Sequence, residues 1–147
     1  MRSGIVVLAV TLAACGAGTG EGLDQNGRPP SGSPTALVPT LDSIQANVFT
    51  PTCAVSGCHG GAGAQQGLQL DPGVSASKLI NVPSPRDPNL IRVKPGDPDN
   101  SFIIQKLEGK RFDGVPILGA QMPDGGTPLQ QSTIDVIRQW IANGAPQ

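Results

Sequence analysis

Between Thr52 and Gly63 the chain reads TCAVSGCHGGAG, which places two thiols, Cys53 and Cys58, and the only histidine, His59, within seven residues. Three kinds of chemistry suit such a cluster. The thiols can add across the two vinyl groups of a haem, while an imidazole directly after the second thiol reaches the iron from the same side. They can instead close a small disulfide loop in an oxidising compartment, leaving His59 at the surface. Or they can join a zinc site, which takes four ligands where this cluster offers three, two of them adjacent and poorly disposed to chelate one ion. The order Cys53, Cys58, His59 fits covalent haem attachment. Its departure is the spacing, since Ala54-Val55-Ser56-Gly57 stand between the thiols where C-x-x-C-H has two residues. The haem fixes the thiol-to-vinyl distances and the Cys-His adjacency rather than the loop length, and Gly57 lets the extra residues bulge.

The rest of the composition limits what can surround such a site. A chain of 147 residues with a net charge of -1 has the length of one domain and makes no electrostatic case for nucleic acid. Twenty Gly and fifteen Pro make it loop-rich. With three Phe, one Trp and no Tyr, the flat side chains that usually fill a core are scarce, and a planar cofactor would supply the missing apolar surface.

Residues 1–14 carry Arg2 and an apolar run from Ile5 to Ala14, too short to span a bilayer but suited to a signal peptide. The end of this run, Leu12-Ala13-Ala14-Cys15, resembles the lipobox of bacterial lipoproteins, in which the cysteine is acylated and becomes the first mature residue. The other reading is an ordinary signal peptide cut nearby. Acylation of Cys15 would leave Cys53 and Cys58 as a pair, which accounts for an odd cysteine count in an exported protein. Residues 15–39, rich in Gly, Pro, Ser and Thr, are expected to form a flexible tether with a reach of about 25–30 Å. The domain is expected over 40–147.

Four segments are expected to build it. Leu41, Ile44, Val48 and Phe49 make an amphipathic helical stripe behind a Thr40 N-cap. Ala76 to Asn81 suits a turn or two of helix. Ser101 to Glu108 suits a helix stopped by Gly109, with Asn100 offered as its cap. The last helix carries Ile134, Ile137 and Ile141 on one face with Val136 and Trp140 beside them; Ser132-x-x-Asp135 reads as a capping box and Gly144 as the stop. These make an all-α domain of three to four helices with long Gly/Pro-rich loops, and loops of that length need something to pack on.

Four pieces in order, FTPTCAVSGCHGGAG, GLQL, RVKPGDPDNSFIIQKLEG and QMPDGGTPLQQSTIDVIRQWIANGA, resemble the cytochrome c domain of exported bacterial lipoproteins, including the planctomycete-type group. The resemblance covers about 42–145. It implies a class I cytochrome c fold, with N- and C-terminal helices crossing beside one covalent haem c held by Cys53 and Cys58 and ligated by His59. It places the second axial ligand at Met122, which Pro123 would stiffen. A thioether favours Fe(II), so His/Met ligation raises the reduction potential, and an iron with both axial positions filled carries electrons without binding a substrate. The expected function is therefore an electron carrier, not an enzyme, lipid-anchored in the bacterial cell envelope and facing the periplasm, with redox proteins as partners. Gly16 differs from the Asp that retains lipoproteins in the inner membrane and favours the outer one.

Two alternatives stay open at this level. One is a haem-free envelope binding module closed by a Cys53–Cys58 disulfide, and the other a five-coordinate haem enzyme in which Met122 does not ligate. Gly60 and Gly61 suit a turn leading away from the site, or simply a Gly-rich loop. Trp140 suits the core, with its N–H as one donor for a haem propionate. Arg92 and Lys94 suit either propionate pairing or a solvated loop.

Overall fold

The computed structural model describes residues 36–147. The expected signal peptide, Cys15 and the expected tether up to residue 35 fall outside the described residues. Among the described residues no helix is long and apolar enough to cross a membrane. Leu37 already packs against the core, so the domain takes hold ahead of Thr40.

Helix α1, Leu41–Ile44, starts at Thr40, whose hydroxyl accepts from the Ser43 N–H at 3.3 Å. It runs on as a π-helical stretch, Gln45–Cys53, which was not expected from the sequence pattern. Pro51 lies inside this stretch and has no N–H to give the helical ladder. The backbone closes instead in a wider turn, with Ala54 N–H donating to the Phe49 carbonyl at 2.7 Å. The stretch therefore ends at Cys53, with Val48 and Phe49 buried below it.

Helix α2, Ser75–Leu79, is followed by a small antiparallel hairpin of strands β1, Pro83–Ser84, and β2, Asp87–Ile91. An all-α reading did not include this hairpin. The segment reads VPSPRDPNLI, and its prolines keep both strands short. Helix α3, Phe102–Glu108, ends at Gly109 in the left-handed conformation, φ +72°, where glycine carries no steric cost. Asn100 does not cap it. Ser101 is the N-cap residue, and its buried hydroxyl serves the preceding turn, accepting from Lys94 N–H and donating to the Asp97 carbonyl, both at 2.9 Å.

Helix α4, Gln131–Ala142, is the longest. The expected capping box is not formed, because the helix begins one residue earlier than Ser132 and both Ser132 and Asp135 lie inside it; Asp135 accepts from the Gln131 side chain instead. Ile134, Ile137, Trp140 and Ile141 face inward onto Ile44, Phe49, Leu79 and Ile104. Arg138 ties α4 to α3, bridging Asp99 and Glu108. Trp140 is fully buried, and its indole N–H donates to the Pro146 carbonyl at 2.9 Å, so it is not directed at any group in the cleft described next.

Candidate haem site

A cleft of about 860 Å³, measured with its open mouth, lies between the π-helical stretch, α2, α3 and the loop ahead of α4. Its walls are mostly apolar: Phe49 and Val48 come from the first helix, Leu79 from α2, Phe102, Ile103 and Leu107 from α3. Cys53, His59 and Met122 all open onto it. Cys58 does not line the cleft and is exposed. The four-residue turn with Gly57 at φ +81° carries it outward before His59 turns back.

Backbone bonds close that turn tightly. His59 N–H donates to the Cys53 carbonyl at 3.1 Å, and Cys58 N–H and Gly60 N–H both donate to the Val55 carbonyl, at 3.0 and 3.2 Å. A side chain could not replace the hydrogen on Gly60, because a Cβ there would sit 2.5 Å from the Ala54 carbonyl oxygen. Gly61 adopts φ +71° and its N–H donates to the Asp71 carboxylate at 2.7 Å, so the pair of glycines does form the turn away from the site.

His59 Nδ1 lies 3.0 Å from the Leu68 carbonyl oxygen. A carbonyl only accepts, so Nδ1 carries the hydrogen and Nε2 keeps its lone pair. A fixed Nδ1–H with a spare Nε2 is how a metal-ligating histidine is oriented. Burial also holds the imidazolium down, below the usual histidine range, with the nearby Arg92 charge acting in the same direction. The Cys53 thiol is pushed up to about 11, mainly by burial and secondarily by Cys58. The two thiols are not bridged.

Met122 is partly buried against the core, and its loop is pinned to α3. Its N–H donates to the Lys106 carbonyl and the Gln121 side-chain amide to the Leu107 carbonyl, each at 2.8 Å, while the Lys106 ammonium donates to the Leu118 and Ala120 carbonyls.

No family model, characterised protein or solved structure matches this chain. The site must therefore be judged on its own chemistry.

Three cations, Arg86, Arg92 and Lys106, line the cleft, and among the described residues no carboxylate does. Arg86 and Lys106 come together over Gly119, and burial followed by the Arg86 charge lowers the Lys106 pKa. Lys94 behaves differently, lying exposed and paired with Asp97 at 2.7 Å. Apolar walls, three like-charged groups, an imidazole with its lone pair spare and a thioether together fit a planar apolar dianion with a soft metal centre. These are the properties of haem. Arg86, Lys106 and the Leu68 carbonyl were not singled out from the sequence. A usable signal did exist, since Phe102, Ile103, Lys106 and Leu107 form one helical face of α3.

Proposed function

We propose that this protein is a lipid-anchored monohaem c-type cytochrome of the bacterial envelope that carries single electrons between redox proteins. The observation that supports the reading is that Met122, distant in sequence, opens onto the same apolar cleft as the neighbouring Cys53 and His59, beside three cations. When bound, the haem supplies a one-electron Fe(III)/Fe(II) couple. The chain's own part is to hold it. Cys53 and Cys58 would hold the haem through two thioether bonds, each S–H adding across a vinyl group with its hydrogen going to carbon, so that no oxidant would be needed. His59 presents Nε2 to the metal because Leu68 occupies Nδ1. Met122 offers sulfur from a loop pinned at three points to α3, which limits ligand motion when the charge changes. Arg86, Arg92 and Lys106 offset the propionate charges. Exposure of Cys58 leaves that thiol within reach of an attachment enzyme. Acylation at Cys15 and the resulting anchorage complete the proposal on the strength of the lipobox resemblance.

Full-length protein matured in a periplasm with haem-attachment machinery tests this reading. The expected result is a c-type pyridine haemochrome, one haem per chain and no titratable thiol after denaturation. A colourless product that releases two thiols on reduction overturns it in favour of the disulfide-closed, haem-free module.

A further inference from the structure

Arg92 is a buried arginine, 7% exposed, with no carboxylate partner among the described residues. Buried cations are costly unless their donors are met. Its side-chain hydrogen bonds go to backbone carbonyls alone: Nη1 donates to the Lys78 carbonyl at 2.7 Å and Nη2 to the Gln66 carbonyl at 2.6 Å. The first carbonyl is on α2. The second belongs to a residue at φ +57°, an unfavourable conformation for glutamine that needs an outside restraint. Two residues further on is Leu68, whose carbonyl holds His59 Nδ1 at 3.0 Å. The backbone of Arg92 is itself fixed, its N–H donating to the Val82 carbonyl at 2.8 Å and its carbonyl accepting from Ile103 N–H at 3.0 Å.

We propose that Arg92 is a positioning residue for His59: its planar fork, anchored on α2, locks the Gln65–Leu68 turn so that the Leu68 carbonyl keeps the imidazole in one tautomer and orientation. The inference rests on the haem reading for its consequence, tuning of the axial ligand, but the clamp itself is a property of the polypeptide. A guanidinium can span two carbonyls in a fixed geometry, whereas an ammonium is a flexible point charge, so charge alone does not replace it.

The test compares full-length wild type with Arg92→Lys and Arg92→Met, ¹⁵N-labelled and haem-loaded. Solvent exchange of the His59 Nδ1 hydrogen is expected to quicken tenfold or more in both variants. In Arg92→Lys, which retains the charge, the midpoint potential is expected to rise, because a histidine released from its carbonyl is a weaker donor to the oxidised metal. If both variants melt at a lower temperature yet keep wild-type exchange and potential, Arg92 is only structural and the proposal falls. If Arg92→Lys alone behaves as wild type, the charge rather than the fork is responsible, and the proposal also falls. Should Arg92→Met not fold, Arg92→Lys decides by itself. A chain that proves haem-free fails the haem reading without deciding the clamp; ¹⁵N shifts of the His59 ring in that material then report the tautomer, expected at Nδ1–H in wild type and shifted toward Nε2–H in Arg92→Lys.

Discussion

Five positions separate Cys53 from Cys58, yet burial divides their chemistry. Cys53 closes a helix and faces an apolar cleft, which drives its pKa from 9.0 to about 11, whereas Cys58 stands exposed on the turn. A rise of this size leaves Cys53 with roughly a hundredfold less thiolate than an ordinary thiol at neutral to mildly alkaline pH. Reduced polypeptide produced without haem attachment, held under native conditions and treated with iodoacetamide at pH 8, is therefore expected to modify Cys58 first, with Cys53 at least tenfold slower. Raising the pH toward 11 should narrow the gap, because deprotonation then overcomes burial. Equal rates at pH 8, read by peptide mass spectrometry, would contradict the described burial.

At the level of elements, the turn from Cys53 to Gly61 depends on backbone approach. Gly60→Ala forces a methyl into the Ala54 carbonyl and is expected to cost about 1–3 kcal/mol. Chemical denaturation should show a lower midpoint with an unchanged slope, and Gly63→Ala, which meets nothing within 4 Å, is the matched control. Such contacts also mark the limit of what could be read in the amino-acid order. The stripe of Leu41, Ile44, Val48 and Phe49, the stop at Gly109 and the inward face of α4 were legible, because each is a local rule with a fixed period or cap. The π-helical stretch was not, since Pro51 signals a break but not how the surrounding carbonyls will be satisfied. The Ser132–Asp135 box misled because Gln131 already begins the helix. Of the site, the cluster of Cys53, Cys58 and His59 was plain as a local motif, and Met122 stood out as the one methionine besides Met1. Arg92 was weighed as a propionate partner or a solvated loop residue, and its grip on Gln66 and Lys78 depends on long-range placement that no spacing reveals.

Across the whole molecule, a sparse set of large side chains carries the packing. Trp140 is the largest of the fully buried residues, and its ring lies among Ile and Phe side chains while its N–H holds the carbonyl of Pro146 near the chain's end. Trp140→Ala is expected to remove about 3–5 kcal/mol, enough to bring a domain of this size near its unfolding threshold. Calorimetry on the full-length protein measures it directly, and a loss under 1 kcal/mol would mean that the residue is not central to the core.

The cleft reaches into nearly every described element, so whatever fills it is joined to the fold itself. Three positive groups face one space that no acid among the described residues lines. Mass action then makes a negatively charged, greasy guest part of the folding equilibrium, because a species bound only by the native form drags the balance toward it. If the proposed cofactor is that guest, its supply would set how long each copy survives proteolysis, so that abundance, and not merely colour, would report whether loading had succeeded.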